Sequence, residues 1–384
     1  MIGDGSGKQM MSNEQADAVV LGGGPAGCAA AIALARRSRS VAVIERSQYD
    51  EARLGETLPP MARKIMAGLG VWERFLSEEH LPSFGIRSVW GRDEVYDNDF
   101  IFNPYGHGWH LDRTRFDAML ALAAEAAGAV VHRGAQLTSW TPDSAGGWEI
   151  EISRGAEHLR YRTRFLVDAS GRAASFARKQ GAQRIVIDHL IAAAAFLSGA
   201  SAGAPPSIPN SSTLVEAVEQ GWWYSALLPN KQLVVAYFTD PDLYAKRNTD
   251  PSTHWWRELQ RAAHTEGRAK DHALSAGPLI IAANSSRLDR VAGGNWLAVG
   301  DAAMAFDPLS SQGISVALEF GLRAAESIQA HWQGDDSALT DYANAVDQRF
   351  EDYLRSRGRY YGREKRWAHS SFWQRRHINS ERGS

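Results

Sequence analysis

The chain has 384 residues, 44% of them hydrophobic, with 42 basic against 44 acidic side chains for a net charge of -2. That is enough apolar chain for one large core or two interlocked ones, and a charge this near balance offers no field to gather nucleic acid, whose readers' motifs are also absent. No run approaches the roughly 18 apolar residues of a membrane span, residues 1–13 lack the apolar stretch of a signal peptide, and the single cysteine excludes an internal disulfide framework. The expected compartment is the cytoplasm.

Residues 17–21 read as a buried strand, 22–27 as a glycine turn, 25–37 as an alanine-rich helix and 41–45 as a second buried strand, the pattern of a βαβ unit. Cys28, among small residues at the start of that helix, reads as a buried filler. Residues 58–75 look helical and 86–102 extended. Phe116, Met119, Leu120 and Ala123 carry i, i+3, i+4, i+7 spacing ahead of Gly128, a helix stop. Strand-like runs follow at 137–140, 148–153, 158–164 and 165–168, then at 185–187, 191–197, 222–228 and 232–239. Residues 198–210 read as a loop. Nucleotide-domain character returns at 295–301 and in a helix over about 312–329, so a second domain is inserted into the first. The expected architecture is α/β. A Rossmann-type, glutathione-reductase-like domain covers 14–80, 111–184 and 285–335, an inserted α+β substrate domain with an antiparallel sheet covers 81–110 and 185–284, and a helical segment covers 336–384.

Gly22, Gly24 and Gly27 satisfy G-x-G-x-x-G between a strand and a helix, with Pro25 and Ala26 opening the helix. The first glycine makes the tight turn, the second lets backbone approach a pyrophosphate, and the third lets helix and strand pack closely. The helix N-terminus then faces the phosphate charge. Glu45 ends the next strand at about the 20-residue spacing expected of a carboxylate that takes ribose hydroxyls. A nicotinamide enzyme needs only this unit, whereas FAD spans the domain and needs a second clamp. Gly300-Asp301 at the end of the 295–301 strand supplies one, with Asp301 placed to accept from a ribityl chain. Residues 307–314 then open a helix whose N-terminal dipole favours negative charge on a reduced flavin.

These pieces, with Glu45-Arg46, Gly55-Glu56-Thr57-Leu58-Pro59, Arg113-x-x-Phe116-Asp117 and Asp168-Ala169-Ser170-Gly171, resemble the flavin monooxygenases and flavin-dependent halogenases over residues 17–329. The resemblance implies FAD contacts from Arg46 and Arg113, Leu137 backbone beside the adenine, Asp168 at the cofactor, and Pro308, Gly313 and Ile314 at the edge of the isoalloxazine. Within the group, Gly221-Trp222-Trp223-Tyr224-Ser225 and Pro308-Leu309-Ser310-Ser311-Gln312-Gly313 look like the branch that hydroxylates tryptophan inside a partner protein to mature a quinone cofactor. The halogenases carry Trp-x-Trp-x-Ile-Pro where only Trp222 matches here, and no lysine lies in residues 84–92, where they place the one that relays hypohalous acid.

The implied chemistry is hydroxylation of an indole or similar electron-rich aromatic, free or in a peptide or partner protein, through a flavin C4a-hydroperoxide formed from O2. Without a second glycine motif, reducing equivalents come from NAD(P)H docking transiently or from a separate flavin reductase. A halogenase is the first rival, and a partner-binding flavoprotein reductase without oxygen insertion the second. Candidates for proton handling are Glu56, His107, His110 and Tyr224. Glu56 reads equally as a cap for the helix at Pro59, and at least one of the two histidines as structural. Trp90, Trp109, Trp222 and Trp223 are candidates for an indole-sized pocket, each alone being more often core. No metal ligand set is expected. Residues 349–377 mix arginines and aromatics at helical spacing, an amphipathic helix packed on the body or, less simply, a dock for an acidic partner.

Overall fold

The computed structural model describes residues 12–199, 211–244 and 250–381. Its centre is a parallel sheet in the order Trp296–Ala298, Glu157–Asp168, Ser12–Leu21, Val41–Glu45, Val130–Arg133, with Ala292–Gly293 added antiparallel at one edge. The two runs expected at 158–164 and 165–168 are one strand, Glu157–Asp168. Its first half carries an antiparallel meander with Trp148–Arg154 and Ala135–Pro142, nearly its whole length pairs in parallel with Ser12–Leu21, and its last three residues pair with Trp296–Ala298.

The alanine-rich helix Pro25–Ala35 is buried on every side. It can be so because its neighbours approach its backbone. A Cβ on Gly321, in the helix Gly313–Trp332, would lie 2.5 Å from the Ala26 carbonyl oxygen and 2.6 Å from the Ala29 Cβ. Small residues on both helices are therefore a packing requirement. Cys28 is buried with no exposed surface, its thiol donating to the Gly23 carbonyl at 3.1 Å.

A second sheet of seven strands runs His272–Ala282, Ile191–Gly199, Gln232–Thr239, Gly221–Leu227, Thr213–Val218, Gly85–Val89, Tyr96–Asp99. It is antiparallel except where Thr213–Val218 meets Gly85–Val89. A small sheet of Thr57–Leu58, Gly108–His110 and Leu81–Ser83 joins the two halves.

Several local expectations are corrected. The helix expected over 58–75 is two short ones, Ala62–Gly68 and Trp72–Leu76, parted where Gly70 takes φ +61°. The extended run over 86–102 is a hairpin of two strands, with Gly91 at φ +75° between them. The strands Thr213–Val218 and His272–Ala282 and the helices Pro251–Leu259 and Ala263–Ala269 were not expected. The tail is two helices, Ala338–Tyr361 and Ser371–Glu381, rather than one run. Most of the loop expected at 198–210 lies outside the described residues. No helix among the described residues is long and apolar enough to cross a membrane.

Candidate active site

The glycine turn separates two kinds of glycine. Gly22 takes φ +113°, and a Cβ there would overlap the Ala169 carbonyl, while a Cβ on Gly27 would overlap the Gly22 carbonyl. Both are required by the protein's own backbone. Gly24 has open space where a Cβ would be, and it is the N-cap of Pro25–Ala35 with no side chain capping that helix. An uncapped helix N-terminus facing open space is an anion site, and Pro25 at the first turn removes one donor that would otherwise go unused.

Around it, Gly23 N–H donates to Glu45 Oε2 at 2.7 Å, and the Ser47 N–H and hydroxyl donate to Oε1 at 2.9 and 2.6 Å. Burial works against the charge, but these donors and Arg53 hold the Glu45 carboxyl below its usual range. Gly300, at φ +62°, brings the second clamp against the first: a Cβ there would lie 2.7 Å from the Ala26 Cβ. Asp301 is part-exposed beside it, 3.6 Å from Arg172 Nε. Arg113 is fixed by Asp117 at 2.9 Å and by the Leu54 carbonyl at 2.8 Å; Arg46 is exposed and Leu137 half-buried. Asp168 is placed differently from a ligand-facing acid. Its carboxylate is spent on Ser170 and on the N–H groups of Phe176 and Ala177, at 2.9 and 2.8 Å, so it shapes the turn beside the motif. The open cradle at Gly24, the ionised Glu45 and the adjacent Asp301 fit FAD.

Glu56 and Tyr224 come together across the joint between the two halves. The Tyr224 hydroxyl lies 2.6 Å from Thr57 Oγ1, and the buried Glu56 carboxyl faces the same hydroxyl while accepting from Gly55 N–H at 2.9 Å. Burial lifts Glu56 above the ordinary carboxylate range, against the pull of Tyr224 and the backbone donors. Burial and then the Glu56 charge raise the Tyr224 phenol well above its usual value. Both groups therefore hold their protons to higher pH than they would in water. Arg268, which the sequence did not single out, reaches the Ser225 carbonyl at 3.1 Å and is brought down to about 10 by burial.

His110 belongs to the same joint in another role. Its Nδ1 donates to the Leu227 carbonyl at 2.9 Å and its Nε2 accepts from the Thr213 hydroxyl at 2.9 Å. Burial pushes it down to about 3, so it is a neutral strut with both nitrogens used. His107 is part-exposed, its Nδ1 2.9 Å from the Gly108 carbonyl and its ring 4.5 Å from that of Trp109.

The four tryptophans do not form one pocket, and of them only Trp90 and Trp222 pack on each other. Trp222 and Trp223 are neighbours on one strand and so face opposite ways. Trp222 stacks on Phe238 at 3.9 Å beside Trp90, at 6.3 Å, whereas Trp223 stacks on Tyr237 at 4.7 Å against Trp255 behind the sheet. Trp109 packs on Phe75 and Trp72. Trp90 alone of the four lines a cavity of about 570 Å3 between the 85–99 hairpin, the 309–312 loop and the helix Ala338–Tyr361.

That helix grips the loop. The Asp307 N–H donates to the Tyr353 hydroxyl at 2.8 Å, while the Tyr361 hydroxyl and Arg357 Nε donate to Asp307 Oδ2 at 2.8 and 3.3 Å. Residues four apart on one helix face thus hold the carboxylate that caps Pro308–Ser310, and Ser311 takes φ +50° before Gly313 and the part-buried start of the next helix. The spacing of Tyr353, Arg357 and Tyr361 was visible in the sequence; their target was not.

A family model described as an FAD binding domain matches residues 15–356. The chain is 30% identical over 372 residues, 96% of itself and 98% of the relative, to LodB of Marinomonas mediterranea, named an FAD-dependent oxidoreductase. In fold it is similar to the flavin-dependent halogenase CmlS, with a TM-score of 0.84 and 23% identity over 96% of this chain and 68% of that one. It is also similar to QhpG, a peptidyl tryptophan dihydroxylase essential for tryptophylquinone cofactor biogenesis, with a TM-score of 0.78 and 24% identity over 94% of this chain and 78% of that one. The cradle at Gly24 and these matches lead to one conclusion: the chain belongs to the FAD-binding-domain family and is an FAD-dependent oxidoreductase, with the fold of the halogenase CmlS and of QhpG.

Proposed function

We propose that this enzyme is a monooxygenase that hydroxylates an indole or similar electron-rich aromatic, with a tryptophan residue in a peptide or partner protein as the favoured form. The observation that carries the reading is the buried Glu56–Tyr224 pair at the joint between cofactor and substrate halves, an acid and a phenol whose burial favours their protonated forms, in a chain with no lysine in residues 84–92, where the resembled halogenases place theirs. None of the described residues lining the 570 Å3 cavity is a lysine. Bound FAD supplies the redox chemistry with O2, reduced by NAD(P)H or by a separate flavin reductase. The chain's own residues do the rest: Gly24 and the helix N-terminus would bind the pyrophosphate, Glu45 would orient the ribose, and Asp307 fixes the loop at 308–312. Glu56 and Tyr224 are placed to take up the ring proton that oxygen transfer releases and to return one to the oxygen left behind.

Fold similarity to CmlS favours halogenation as the second reading. The two separate on one experiment. FAD-loaded enzyme with a reductase, O2 and a panel of free and peptide-borne indoles should give hydroxylated product without halide. Product that appears only with bromide or chloride overturns the first reading in favour of the second, and peroxide alone across the panel overturns both.

A further inference from the structure

The turn that leads into the strand Gly108–His110 is tightly hydrogen-bonded and apolar at its tip. The Phe100 N–H donates to the Phe84 carbonyl at 2.8 Å, the Asn103 N–H to the Phe100 carbonyl at 2.8 Å and the Gly106 N–H to the Asn103 carbonyl at 2.9 Å. The Tyr105 N–H adds a bond to Asn103 Oδ1 at 3.0 Å. This frame holds Ile101 and Phe102 out in water, 80% and 93% exposed. A Cβ on Gly108 would lie 3.2 Å from the Phe100 ring and 3.6 Å from Pro60 Cδ, so Met61, itself exposed, stands beside the turn. Phe84, also exposed, adjoins it through the bond to Phe100. Single exposed apolar side chains are ordinary, whereas a group of large ones gathered on bonded backbone marks a surface that meets another protein.

The charges beside this patch are sorted by side. In the small sheet Gly108–His110 is the central strand, with Thr57–Leu58 on one edge and Leu81–Ser83 on the other. Thr57–Leu58 leads on to Met61 and to the exposed Arg63 and Lys64. Leu81–Ser83 leads to Phe84 and Gly85–Val89, whose hairpin partner Tyr96–Asp99 carries the exposed Asp97 and Asp99. Arg63, Lys64 and Asp99 form no ion pair among the described residues, and Asp97 meets Arg87 at 2.9 Å. An apolar centre with a basic flank on one side and an acidic flank on the other is complementary to itself. A two-fold axis through the centre lays the basic flank of each copy against the acidic flank of the other. A nucleic acid or an anionic lipid surface would instead set phosphates against Asp97 and Asp99.

We infer that a second copy of this chain docks here, in a two-fold dimer with Met61, Ile101 and Phe102 at its core and the charged flanks as its rim. The dimer does not depend on which aromatic the enzyme oxidises. Its surface grows from the sheet that also carries Thr57 and His110, which puts the subunit contact next to the joint of the two halves.

The test is sedimentation of the full-length, FAD-loaded protein over a concentration series from nanomolar to tens of micromolar. The native protein should form a reversible dimer within that range. Ile101→Ser/Phe102→Ser should weaken it at least about a hundredfold, since each lost anchor counts once in each copy. Arg63→Glu/Lys64→Glu and Asp97→Lys/Asp99→Lys should each weaken it about tenfold or more, and the two variants mixed in equal amounts should pair with each other far better than either pairs with itself. Bound-flavin absorbance, unchanged in all three, shows that the fold is kept. A native protein that stays monomeric throughout, a dimer untouched by Ile101→Ser/Phe102→Ser, or charge variants that pair no better mixed than alone overturns the inference.

Discussion

The turn at Gly22–Gly27 and the joint at Glu56–Tyr224 treat buried polar groups in opposite ways. At the turn the helix Pro25–Ala35 ends without a side-chain cap and Gly24 faces open space, so donors and dipole await something from outside the chain. At the joint the chain closes on itself: the Tyr224 hydroxyl meets Thr57, Glu56 faces it, and His110 spends both nitrogens on Leu227 and Thr213. An unfinished site binds, and a finished one keeps protons where burial puts them. The difference implies that substitutions at the first region cost cofactor, and at the second cost rate or stability with cofactor retained.

The sharpest break between them lies within the glycine motif. Gly24→Val should fold, because nothing of the protein occupies that space, yet lose FAD; absorbance of bound flavin after gel filtration reads it out, and stoichiometric yellow protein contradicts the assignment. Gly27→Val should instead fail to fold, since its side chain meets the Gly22 carbonyl.

Next in size is Glu56→Gln, which should retain FAD and lower kcat by roughly 10²-fold or more, with Tyr224→Phe following it. In the native enzyme the raised Glu56 carboxyl keeps its proton past the usual carboxylate range, so a rate that needs the acid falls as pH rises through its elevated value. The same elevation sets a stability term that is complete below the unfolded carboxyl's value and lost as pH rises above it. A kcat profile unchanged in Glu56→Gln would remove the residue from the reaction.

His110 sharpens the comparison from the other side. Its folded value is about 3 against an ordinary 6.5, so the unfolded chain takes up the proton first and stability is lost as pH falls from 6.5 toward 3. His110→Gln should flatten that acid limb in denaturant titrations, and His110→Ala should cost about 2–3 kcal/mol through the two lost hydrogen bonds. The smallest effect expected is Tyr361→Phe, about 2 kcal/mol for the bond donated to Asp307 and the bond accepted from Trp222 Nε1, seen as a lower Tm.

What could be read ahead of the structure follows the same division. The βαβ unit and its glycines are dictated by contacts a few residues apart, and Gly22, Gly24, Gly27 and Glu45 stand where the motif requires them. The joint depends on Thr57 meeting Tyr224 across 167 positions, which no local pattern encodes, so Glu56 and Tyr224 could be nominated but not paired. The tryptophans were grouped by type although strand alternation separates Trp222 from Trp223. Asp168 shows how a motif acid can serve the backbone of a turn, a role visible only once the N–H groups of Phe176 and Ala177 are located.

The central claim is oxygen insertion at a site that retains protons through Glu56 and Tyr224. The most direct measurement is turnover of a tryptophan-bearing peptide by reduced, FAD-loaded enzyme under isotopically heavy dioxygen in halide-free buffer, with mass spectrometry of the product. The account predicts one heavy oxygen atom in the indole from the native enzyme and far less product from Glu56→Gln. An unlabelled peptide from enzyme that binds it and consumes dioxygen, or modification that requires halide, would contradict it.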